Sequence, residues 1–241
     1  MKRNSIVLPA VAIAMALLPA PSVDAQSADG QCSSATYAID GQLGIARIAS
    51  ARARVNFVMS RQDGRKDCPA AAAACREKAF LVARDVVVTQ PSEIVGFVCS
   101  SFANARGHET TGWLPTDALE VVPSGAVTPA SYAGRWQRTE AVITIKPGRN
   151  GRILVDGAAT WGAQDRGRAA RGAVNTGEIG GTGRFVGETV LVADDDVKSF
   201  QAAPDTACAV QMRVVASYLL VRDNGACGGA NVSFTGVYVR R

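Results

Sequence analysis

Apolar and polar positions alternate with a period of two over much of the chain. A period of two sends successive side chains to opposite faces and predicts half-buried strands. Glu140–Lys146 (EAVITIK) is the plainest case. Pro147-Gly-Arg-Asn-Gly151 predicts a turn, and Arg152–Trp161 (RILVDGAATW) the returning strand, with Gly157 marking a bend or close approach. Further strands are predicted over 173–185, 188–193, 206–215 and 218–222, with a hairpin through Ala216-Ser217. Asp223-Asn-Gly225 turns the chain once more, and Asn231–Arg240 closes it. Seven or eight short strands at hairpin spacing argue for an up-and-down antiparallel β-barrel, with a β-sandwich as the alternative.

The first half reads as shorter strands, over 53–59, 80–82, 86–89, 94–99, 111–115 and 119–122. Asp63-Gly64 and Asn104–Gly107 are turn signals. Pro69–Lys78 is Ala-rich with proline at its start, which predicts a short helical insert of one or two turns. Val122-Pro-Ser-Gly-Ala-Val-Thr-Pro129 has two prolines and no alternation, the composition of a linker. The expected organisation is thus a mainly β chain of two small domains, residues 30–122 and 130–241, joined by 123–129. Few contacts are expected to cross the linker, so each half should fold separately.

Residues 1–25 have the form of a secretory signal peptide. Lys2 and Arg3 precede an apolar run broken by Pro9 and Pro19, and Ser22–Ala25 offers small residues for cleavage before Gln26. The run is too short and too proline-broken for a membrane span, and no later stretch is long and apolar enough for one. The expected location is periplasmic or extracellular, in a bacterium. In an exported chain six cysteines imply oxidation. Cys32, Cys68, Cys75 and Cys99 fall in the first half, Cys208 and Cys227 in the second. If no bond crosses, Cys208 pairs with Cys227, and the first four allow three pairings. Cys68–Cys75 with Cys32–Cys99 is favoured, because the first would clasp the Ala-rich insert and the second would tie an N-terminal arm to a strand. A zinc site lacks both a C-x-x-C and a second histidine.

The first half carries 10 Lys and Arg against 10 Asp and Glu, the second 14 against 10, so the basic excess of the mature chain lies in the barrel half. Arg166, Arg168 and Arg171 cluster in a polar loop and are candidate binding residues. A modest positive charge with few aromatics points away from nucleic acid. His108 next to Glu109 reads as a polar turn, since no nucleophile accompanies it: Gly-x-Ser-x-Gly is absent and every cysteine has a disulfide role. Gly181-Thr-Gly183-Arg-Phe-Val-Gly187 departs from the phosphate-binding spacing and lacks a following helix. Asp194-Asp-Asp196 lacks the spaced oxygens of a calcium loop. No catalytic residue, metal or cofactor is assigned.

Two stretches resemble known families. AFLVARDVVVT, IVGFVCSSF and GHETTGWLPTDALEVV resemble the latter half of a bacterial SH3-like domain, with Gly112, Trp113, Leu114, Leu119 and Val121 on its Gly-Trp pattern. The expected Arg of its Asn-Val-Arg strand is missing from ARVNFVM, and the Cys-bracketed insert is foreign to it. That resemblance implies binding of cell-wall peptide or protein segments, with Trp113 as a candidate binding aromatic, although a Trp at this family position is more often a core residue. Gly134-Arg-Trp136 at the first barrel strand and Arg240 on the last resemble the calycin pattern of lipocalin-like and avidin-like barrels. There the Trp plugs one end and the Arg lies over its ring, a cation–π contact. The resemblance implies a cavity or mouth for a small ligand or a partner protein. The resulting expectation is an exported, non-catalytic binding protein. The alternatives are an inhibitor of an exported protease or lysozyme, and a hydrolase with an unlocated carboxylate site.

Overall fold

The structure is a computed structural model that describes residues 31–63 and 65–241; the expected signal peptide lies outside them. The chain is mainly β and forms two antiparallel sheets. The first sheet has strands β1 (Gly44–Ile48), β2 (Val55–Val58), β3 (Arg76–Leu81), β4 (Val86–Gln90), β5 (Phe97–Ala103), β6 (Glu109–Pro115) and β7 (Leu119–Val121), in the order β3-β2-β6-β5-β4-β1-β7. The short helical insert is reduced to one 3-10 turn, Ala73–Cys75, and the chain is already strand at Arg76. The cause is tertiary. Cys75 is bonded to Cys68, its carbonyl accepts from Met59 N at 2.8 Å, and Val58 pairs with Arg76, so alanine's helix propensity is overridden.

The second sheet is a closed barrel of eight strands. These are β8 (Gly134–Arg138), β9 (Ala141–Pro147), β10 (Ile153–Trp161), β11 (Asn175–Val186), β12 (Thr189–Val192), β13 (Val210–Val215), β14 (Tyr218–Asp223) and β15 (Gly236–Arg240). Closure comes from β15 pairing with β8, which sets Arg240 opposite Trp136. Val232, Phe234 and Tyr238 near the chain's end face the barrel core, while Val237 is buried on the outer face against the first sheet. The barrel is full. Trp136, Tyr132, Ile143, Met212, Leu219 and Phe234 meet in one buried cluster. Two short helices flank the barrel, α1 (Pro129–Tyr132) ahead of β8 and α2 (Arg166–Ala170) in the loop between β10 and β11.

All three disulfides follow the favoured pairing: Cys32–Cys99, Cys68–Cys75 and Cys208–Cys227. The first ties down an N-terminal arm, whose 3-10 turn Ala35–Ala38 wedges between the two sheets. Many contacts cross the junction, where few were expected. Ala35, Ile39, Val88 and Ala103 pack against Tyr218, Leu220 and Val237 of the barrel wall. Tyr218 Oη donates to the Val86 carbonyl at 2.6 Å, Val237 N to Glu109 Oε2 at 3.1 Å, and Thr139 N to the Gly107 carbonyl at 3.1 Å. This second buried face explains why Tyr218–Val221 of β14 is apolar on both sides. A strand covered on both faces loses its alternation.

Candidate functional site

Each residue singled out in the sequence has a definite place. At one end of the barrel Trp136 is wholly buried, with its Nε1 donating to the Tyr132 carbonyl at 2.8 Å. The Arg240 guanidinium lies 4.4 Å from the centre of its ring. Arg240 also donates to the carbonyls of Ser131, at 2.8 Å, and Ala133. Gly134 has φ +138°, and a Cβ built there would lie 2.7 Å from Arg240 Nη1. Glycine is therefore needed to let the arginine reach the indole. These three residues seal an end; they do not line an opening.

Of its two readings, binding aromatic or core residue, Trp113 has the packing of a core residue. It is 2% exposed, donates from its indole to Ser60 Oγ at 3.1 Å, and packs with Val58 against two disulfides. Its position on β6 faces inward, so no outside ligand can stack on it. The loop arginines separate in role. Arg168 lies 3.9 Å from the centre of the Trp161 ring, while Arg166 and Arg171 are exposed. Asp165 caps the short helix by accepting from Arg168 N at 2.9 Å. His108 is exposed in its turn. Its neighbour Glu109 points elsewhere, accepting from Thr111 Oγ1 at 3.1 Å and from the barrel at Val237 N, so the two form no acid–base pair. Among the described residues no group of three or more His, Cys, Asp or Glu could hold a metal ion.

One concavity among the described residues was missed by sequence reasoning. A cleft of about 1700 Å³ runs along the junction of the sheets. One wall is the N-terminal arm with Tyr37, and the loop Pro91–Glu93. Another is the linker at Ser124–Val127. The third is the barrel rim at Phe185, Gly187 and Glu188, with Val214–Ala216. Tyr37 is 64% exposed, Val127 49% and Phe185 37%, so apolar surface faces the opening. Phe185 is held edge-on to Tyr132, with centroids 5.5 Å apart. Burial pushes the Tyr132 phenol above its ordinary value.

Electrostatics give the cleft shape rather than chemistry. Arg213, 12% exposed at its side chain, pairs with exposed Glu188 and donates to the carbonyls of Ile39 at 3.0 Å and Gly41 at 2.7 Å. Asp40 accepts from Gln211 and, at 3.1 Å, from Gln201. These charges clamp the arm onto the barrel. The carboxylate raised by its surroundings, Glu77 on β3, lies away from the cleft; burial raises it first and the charge of Asp63 second.

No family model, no curated protein and no solved structure matches the chain.

Proposed function

We propose that the protein is an exported, non-catalytic binding protein. An SH3-like first half and a calycin-like barrel together recognise a cell-wall peptide or protein segment in the cleft at their junction. The observation that carries this reading is where the open space lies. The barrel interior is filled and one end is sealed by Trp136 and Arg240, whereas the junction keeps a preformed cleft faced by Tyr37, Val127 and Phe185. Concave, largely preformed sites with apolar walls and a few fixed polar groups are the usual form of binding sites. The three disulfides fit an oxidising compartment. Among the described residues no helix is long and apolar enough to cross a membrane.

Co-sedimentation with purified bacterial cell-wall sacculi tests the reading. The mature protein should pellet with the sacculi, and the pair Tyr37→Ala and Val127→Ala, both well exposed on the cleft walls, should reduce the pelleted fraction severalfold without changing the melting curve. Failure of the native protein to pellet, or equal pelleting by the double variant, would overturn it.

A further inference from the structure

The three disulfides differ in what they join. Cys68–Cys75 closes a loop inside the first sheet, and Cys208–Cys227 closes one inside the barrel. Cys32–Cys99 alone fastens the segment that touches both sheets. Beyond Cys32 the arm sends Ala35 and Ile39 into the shared cluster, gives Asp40 to Gln211, and offers its carbonyls to Arg213. It also forms the cleft wall that carries Tyr37. With the bond intact the arm is held at both ends, by Cys99 and by β1. Without it the described arm is held by β1 and by its docking contacts.

The surroundings of this bond favour its opening over the other two. Cys32 is partly exposed and Cys99 is wholly buried, so an attacking thiolate reaches Cys32 and expels Cys99. Buried Gln90 directs its amide Nε2 at Cys99 Sγ, 3.3 Å away. The same amide donates to the Ser33 carbonyl at 2.7 Å, which fixes its orientation and engages the oxygen that also lies 3.5 Å from the sulfur. An amide N–H stabilises charge developing on a leaving sulfur, and a better-stabilised leaving thiolate departs faster. Among the described residues the polar neighbours of the other two bonds are oxygen acceptors. Cys227 Sγ faces the Ala209 carbonyl at 3.9 Å and Asn224 Oδ1 at 4.0 Å. Cys75 Sγ faces the Asp67 carbonyl at 3.9 Å, and both Cys68 and Cys75 are 2% exposed.

We propose that Cys32–Cys99 is a reducible latch, opened by a vicinal-dithiol reductant, that releases the N-terminal arm from the barrel and opens the cleft wall. The reductant's thiolate bonds to Cys32 Sγ as the Cys32–Cys99 bond breaks. The electron pair leaves on Cys99, which takes a proton. The reductant's second thiolate then displaces Cys32, which also takes a proton. Both cysteines end as thiols and the reductant as a disulfide. The sheets stay joined through Val86–Tyr218 and Glu109–Val237, so the event is local. That it regulates binding rests on the cleft being the binding site; the release of the arm does not.

The test is hydrogen exchange by mass spectrometry on the mature protein, before and after graded reduction with a vicinal dithiol. Alkylation maps which thiols appear. Cys32 and Cys99 should be the first pair alkylated. Amides of residues 35–41 should then exchange roughly tenfold faster or more, as a locally released segment does, while those of 212–214 keep their protection. The double variant Cys32→Ser, Cys99→Ser should show the same faster exchange without reductant. Earlier opening of either other disulfide, or an arm equally protected after reduction, would overturn the latch. So would equal acceleration at 35–41 and 212–214, which would mean general unfolding. Sacculus binding that changes on reduction extends the latch to the cleft. If binding is absent in both redox states while the arm is released, the latch stands and the cleft reading falls.

Discussion

Removing the guanidinium from Trp136 gives the most direct energetic test of how the barrel closes. In Arg240→Ala the indole loses its cation–π partner at 4.4 Å, and the carbonyls of Ser131 and Ala133 lose a charged donor. Arg240 itself is exposed, so the stacking contributes about 0.5–1 kcal/mol, the range for exposed pairs. The hydrogen bonds compete with water at this rim and add about 0.5–1 kcal/mol. The expected loss is about 1–2 kcal/mol. Trp136 is wholly buried, and Trp136→Ala should cost about 3–5 kcal/mol. That is a large share of the 5–15 kcal/mol typical of a domain, so Trp136→Leu, which refills part of the space, serves better. Urea melts of the two single variants and the double variant complete a cycle. A coupling of about 0.5–1 kcal/mol is expected, since only residues in contact share an interaction energy. Additivity within about 0.3 kcal/mol would refute the stacking account and leave Arg240 a surface residue on a closing strand.

Other outcomes follow from the junction and the buried phenols. Gly107 has φ +74°, and a Cβ there would lie 2.3 Å from Arg138 Cα, so Gly107→Ala should cost more than about 2 kcal/mol in a denaturant melt. Gly125→Ala, with open space around it, should change stability by less than about 1 kcal/mol. Burial pushes the Tyr218 phenol up to about 12 and raises Tyr238 further. The folded state therefore holds protons that the unfolded chain releases. Stability is full below pH 10 and falls as pH rises from 10 towards 12, on the order of 2 kcal/mol for Tyr218, and Tyr218→Phe should flatten that slope in melts across the range. A protease nick between Ser124 and Thr128 should leave both fragments in one gel-filtration peak, because the apolar junction holds them; separate peaks would contradict the interface.

Much of the barrel was legible, because alternation marks a strand with one wet face. EAVITIK is a strand with alternating burial, and Trp136 met Arg240. The disulfides were legible from their spacing. What escaped was tertiary. Ala35-Thr-Tyr-Ala38 carries no period, yet Ala35 and Thr36 are fully buried between the sheets. Arg213 interrupts an apolar run like any exposed charge, but its partners are carbonyls 174 and 172 positions away. Tyr218-Leu-Leu-Val221 broke the alternation, and that was the available signal that the outer face of β14 is covered too. The cleft follows from that covering, so no local pattern encodes it. Trp113 was legible as a core residue from its place in the Gly-Trp pattern, and it packs against two disulfides. The short helix after Asp165 was lost because five residues are too few to show a helical period.

Nuclear magnetic resonance of the isotope-labelled mature protein, titrated with soluble cell-wall peptide fragments, tests the central claim most directly. Saturable shifts are expected at Tyr37, Glu93, Ala126, Phe185 and Glu188, on all three walls of the cleft, with the amides of Met212 and Leu219 inside the barrel unmoved. No saturable shift, or shifts confined to Arg166 and Arg171 on the far loop, would contradict recognition in the cleft.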